Sequence, residues 1–73
     1  MGIQLTAVFE PAAEGGYVCW LEEMPNVQTQ GDTKDEAREN LRDAFQLSVE
    51  YLRERSRKAA SEKASREILD LVA

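Results

Sequence analysis

Histidine is absent from the chain, and cysteine occurs once, as Cys19. Without imidazole there is no histidine general base and no histidine metal ligand. One cysteine rules out a disulfide within the chain, the usual staple of a small secreted fold. In an apolar, strand-like run, a lone cysteine reads as a small buried hydrophobe in a reducing compartment. Long apolar stretches are also missing. None approaches the roughly 20 residues that cross a bilayer, and MGIQLTAVFE has neither the basic start nor the apolar core of a signal peptide. These absences predict a soluble, cytoplasmic protein. Its 73 residues predict a single domain over 1-73. So short a chain buries too little surface to be robust alone. With disulfides and histidine metal sites excluded, self-association is the support that remains, so a homodimer or higher homo-oligomer is expected.

The same absences weigh against catalysis. Ser48, Ser56, Ser61 and Ser65 have no histidine to activate them. Cys19 has no adjacent base and no helix N-terminus to lower its pKa. Carboxylates are plentiful: Glu22 and Glu23 follow an apolar run, and Asp32, Asp35 and Glu36 crowd a helix start. Such oxygens can hold a divalent cation, but no spacing argues that they converge. They read as strand-end charge and helix capping. No enzyme, metal or cofactor is expected.

Charge is unevenly spread. Residues 1–52 carry ten acidic and three basic side chains (Lys34, Arg38, Arg42), a net −7. Residues 53–73 carry six basic and four acidic ones, a net +2. An acidic body repels phosphate backbones and attracts basic proteins. The polar run Arg53–Lys58 (RERSRK) is the one candidate for residual nucleic-acid contact. It has no interleaved aromatic for base stacking and reads as a solvated helix end.

Ile3, Leu5, Ala7 and Phe9 alternate with Gln4, Thr6 and Glu10, predicting a strand over 3-10. Val8 is out of step with the polar side. Gly15-Gly16 marks a hairpin turn. The continuously apolar YVCWL predicts a second strand over 17-22, central and covered on both faces. Tyr17 and Trp20 are an odd number of residues apart, so they fall on opposite faces. A third, short strand is expected over 27-30, with Pro25 just before it. At Asp32 the period changes. Thr33-Lys-Asp-Glu36 has the form of a capping box, in which Thr33 accepts the N–H three residues on and Glu36 reaches back to the Thr33 N–H. Ala37, Leu41, Ala44, Phe45, Ser48 and Leu52 then recur at spacings of three and four, predicting a helix over 33-58. Leu47, Val49 and Tyr51 widen its apolar arc beyond what a three-stranded sheet needs. Residues 59–73 read as helix by their alanines or as a short strand by Ile68, Leu69, Leu71 and Val72.

The stretch GGYVCWLEEMPNVQTQGDTKDEARENLRDA resembles the signature of the HicB-like antitoxin family. The resemblance rests on Gly16 and Tyr17, on Glu23, Met24 and Pro25, on Thr29 to Thr33, and on Glu36, Ala37, Asn40 and Ala44. It covers roughly residues 3–52. Two positions depart: the family's first proline is Glu22 here, and the glycine after its second is Asn26. The resemblance implies an α+β domain with a partial RNase H-like order, β-β-β-α-β. It places a last short strand over 66-72. It implies a non-enzymatic antitoxin that binds and neutralises a small basic, mRNA-cleaving, HicA-like toxin. Many members add a C-terminal DNA-binding module; residues 53–73 are too few for one, so direct DNA binding by this chain is not expected. The residues expected to meet a partner are Tyr17, Trp20, Glu22 and Glu23, with Thr33 and Glu36 as the structural helix cap. The alternative is a stand-alone oligomeric adaptor or regulator of the same fold with no toxin partner. A carboxylate-metal nuclease is a distant third.

Overall fold

The computed structural model describes residues 4–69. Three strands precede one helix: β1 (Ala7–Pro11), β2 (Tyr17–Leu21), β3 (Met24–Gly31) and α1 (Lys34–Ala59). The strands form an antiparallel sheet in the order β1-β2-β3, with α1 packed across β3 and β2. The fold is α+β, as the sequence predicts. Gly15 and Gly16 both take positive φ, at 101° and 77°, in the β1–β2 turn. A side chain at Gly16 would bring Cβ within 2.6 Å of the Gly31 carbonyl oxygen. The turn is therefore closed both by backbone conformation and by close approach.

Several boundaries differ from expectation. The first strand starts at Ala7, because β2 ends at its partner Leu21 and offers no ladder beyond it. Residues 4–6 are described without strand structure, and Ile3 lies outside the described residues. The third strand is longer than 27-30. Glu22-Glu23 make a two-residue turn, so pairing resumes at Met24. Pro25 therefore sits inside β3, not ahead of it. Its missing N–H is tolerated because β3 is an edge strand and its register slips there: Trp20 faces Gln28, whereas Leu21 faces Met24. Ser56 O accepts the Ala60 N–H at 3.0 Å where the helix ends. No strand forms among residues 60–69, and positions 70–72 of the expected 66-72 element lie outside the described residues. The helix carries the chain past the end of the sheet before releasing it. Ile68 and Leu69 are consequently solvent-facing.

The core is small. Cys19, Leu21, Val27, Ala37 and Leu41 are buried, with Phe9, Tyr17, Met24, Ala44 and Phe45 packed around them. Each large aliphatic member contributes about 1.5–3 kcal/mol. At the margin of this core the Phe9 ring lies beneath Lys34 Nζ at 5.2 Å and the Arg38 guanidinium at 5.4 Å, a cation–π roof that two side chains of α1 extend over β1.

Candidate functional site

Strand alternation sends Tyr17, Cys19 and Leu21 toward α1 and turns Val18 and Trp20 the other way. On that second face Trp20 stands opposite Val8 on β1 and Gln28 on β3, and Val18 stands opposite Glu10 and Gln30. Among the described residues no element covers this face. Thus YVCWL is central in the sheet, but the expected cover on both sides is missing: Val18 is exposed, and Val8 and Trp20 are half-buried. The result is an apolar strip, Val8–Trp20–Val18, edged by Glu10, Gln28 and Gln30. An aromatic centre with a polar rim suits protein recognition.

The four residues expected to meet a partner are not brought together. Trp20 is at the centre of the open face. Tyr17 is on the helix side, half-buried against the core and opposite Pro11 and Gly31. Glu22 and Glu23 form the β2–β3 turn at the far end of the sheet. There the Glu22 N–H donates to the Thr6 carbonyl at 2.8 Å, and the Glu23 carboxylate accepts the Thr6 N–H at 2.7 Å. That accepted bond holds the Glu23 carboxyl below its ordinary value. Glu23 is thus engaged in fastening the chain ahead of β1, while Glu22 stays exposed. Val8, Glu10, Val18 and Gln28 belong to the face without having been singled out. The available signal was Val8, the residue out of step with the alternation of its strand.

The acidic helix start is structural. Thr33 Oγ1 accepts the Glu36 N–H at 3.1 Å, as a capping box requires. The reciprocal bond differs from expectation: the Glu36 carboxylate accepts the N–H of Asp32 at 3.1 Å, one residue ahead of the cap. Asp35 pairs with Arg38 at 2.7 Å. Asn40 Nδ2 donates to the Gln30 carbonyl at 2.9 Å and ties the helix to β3. No three potential metal-ligating side chains gather among the described residues. Cys19 is fully buried, and its Sγ donates to the Ala37 carbonyl at 3.3 Å. Burial pushes its thiol up, against a smaller opposing effect of the Thr29 backbone. It packs as a hydrophobe and is not poised as a nucleophile. No described helix is long and apolar enough to cross a membrane.

The UPF0150 protein ssl0738 of Synechocystis sp. is 41% identical to this chain over 69 residues, which cover 94% of the chain and 96% of the relative. No family model matches the chain, and no solved structure matches it.

Proposed function

The chain belongs to the UPF0150 family, and from that premise we propose that it is a HicB-like antitoxin domain that binds and neutralises a small basic, mRNA-cleaving toxin. The observation that carries this reading is the open sheet face. Val8, Val18 and Trp20 form an apolar strip on a body of net −7 over residues 1–52. Burial of the tryptophan would anchor the complex, since aromatic residues dominate binding energy at such centres. The acidic surround would speed encounter with a basic partner and repel RNA from the masked active site. Trp20 thus replaces the scattered set of four as the main contact, with Glu10 on the rim. Tyr17 supports from behind the sheet.

The test is growth rescue. Any small basic protein encoded beside this one is expressed with or without the chain. Wild-type chain is expected to restore growth, and Trp20→Asp, which alters a side chain outside the core, is expected to fail while remaining folded by circular dichroism. Binding by calorimetry should weaken by at least about tenfold in the same variant. Absence of any rescue by the wild-type chain would leave the stand-alone adaptor as the better reading.

A further inference from the structure

Every base in the first 52 residues lies along one flank of α1. Lys34, Arg38 and Arg42 follow one another at steps of four, a spacing that keeps them on one side of a helix. That side faces β1, since Lys34 and Arg38 stand over the Phe9 ring. Because α1 packs on β3 and β2, β1 is left at the sheet edge, and a groove of about 310 Å³ opens between it and the helix. Leu5, Leu21, Leu41 and Phe45 make its apolar floor, and Arg38 and Arg42 make its wall. Arg38 is held by Asp35 at 2.7 Å, whereas the pair of Arg42 with Glu39 is long, at 3.8 Å. On a body of net −7, this groove is where cations border apolar surface.

We propose that the groove receives segment 67–72 of a second copy, and that two copies exchange these C-terminal segments about a two-fold axis. The segment, Glu-Ile-Leu-Asp-Leu-Val, has the complementary make-up: four apolar side chains, two carboxylates and no base. In an extended chain Glu67, Leu69 and Leu71 share one face, which sets an acid for the wall beside two leucines for the floor. Within one chain the two surfaces do not meet, for Ile68 and Leu69 are 94% and 68% exposed. Distance is the reason. The helix climbs a further 14 residues from Phe45 to Ala59, about 21 Å beyond the groove. Residues 60–66 reach at most about 25 Å when fully extended. Ser61–Ala64 is moreover a turn, in which the Ala64 N–H donates to the Ser61 carbonyl at 3.1 Å. A return to the chain's own groove would open that turn and pull the connection nearly straight. A second copy requires neither, and exchange makes each contact twice. A basic partner would meet Lys34, Arg38 and Arg42 here. The occupant therefore differs from the one proposed for the open sheet face, and the inference does not rest on that reading.

Sedimentation velocity of the full chain, from low to high micromolar concentration, tests it. A dimer is expected. Reversing the groove (Arg38→Glu with Arg42→Glu) or the segment (Glu67→Arg with Asp70→Arg) should each give monomers, with the helix signal in circular dichroism retained. Leu69→Asp, which alters an exposed side chain, should do the same. An equimolar mixture of the two reversed variants should recover the dimer, because each segment then matches the other chain's groove. A segment folded onto its own groove would be indifferent to mixing. The exchange is overturned by a wild-type chain monomeric throughout, by a dimer that survives either reversal or Leu69→Asp, or by a mixture that stays monomeric. Toxin binding is not measured, so either proposal can fail without the other.

Discussion

At the scale of single residues, the acids divide by whether a backbone N–H is within reach. Glu36 finds the Asp32 N–H and closes the helix start. Glu23 finds the Thr6 N–H and fastens the chain ahead of β1. Glu22, one residue earlier, points its carboxylate to solvent and contributes charge alone. The lowered Glu23 carboxyl gives a pH dependence with a definite sign. A group whose folded pKa is depressed stabilises fully above its unfolded value, here the ordinary 4.5, and loses that contribution as pH falls through the folded value. Urea unfolding of wild type and Glu23→Gln should therefore diverge above about pH 4.5 and converge in stronger acid. Parallel stability curves across that interval would mean that the carboxylate does not hold Thr6 in solution. The sequence marks Glu22 and Glu23 as a pair. It does not distinguish them, because their difference depends on a residue 17 positions away.

At the scale of elements, the join between β3 and α1 controls the fold. Ala37 is fully buried and Gly31 lies directly against it: a Cβ on Gly31 would stand 2.5 Å from the Ala37 nitrogen and 2.9 Å from its Cα. Those atoms belong to a capped first turn and cannot yield cheaply. Gly31→Ala should cost about 2–3 kcal/mol, the upper range for overpacking, read as a lowered urea midpoint with unchanged slope. A loss below about 0.5 kcal/mol, the scale of an ordinary surface substitution, would show that the helix can shift away from the strand. The TQGDT step was legible as a boundary from its turn residues and its T-x-x-E cap. Its tightness was not, since local pattern carries no information on how closely two backbones approach. The same limit explains β3. Composition indicates a strand after Pro25, but the register slip at Trp20 and Leu21 lets the strand run through the proline.

At the scale of the whole molecule, the balance among the described residues is between a core of five buried side chains and a helix whose second half none of them covers. Leu47, Tyr51 and Leu52 remain exposed, an unpartnered stripe that a monomer leaves in water. If two copies exchange their C-terminal segments, stability becomes dependent on concentration by mass action. The melting temperature of the wild-type chain should rise with protein concentration across the micromolar range, and that of Leu69→Asp should not. A concentration-independent melt for the wild type would leave the groove beside β1 without the segment of a second copy. The widened apolar arc was legible in the sequence from Leu47, Val49 and Tyr51. The expected 66-72 strand was not supported over its described part, because the helix continues through RERSRK and releases the chain beyond the sheet.

Sequence alone determined the α+β class, the two alternations, the glycine turn, the helix cap and the acidic character of the body. Each follows from local periodicity, backbone preference or counted charge, which need no knowledge of neighbours in space. Tertiary structure decided that Tyr17 faces the core and Trp20 the open side, that Glu23 is engaged and Glu22 is not, and that the helix overshoots its sheet. These depend on register and on the relative lengths of packed elements. Strand pitch is about twice helical rise per residue, so 26 helical residues cannot be covered by strands of five to eight.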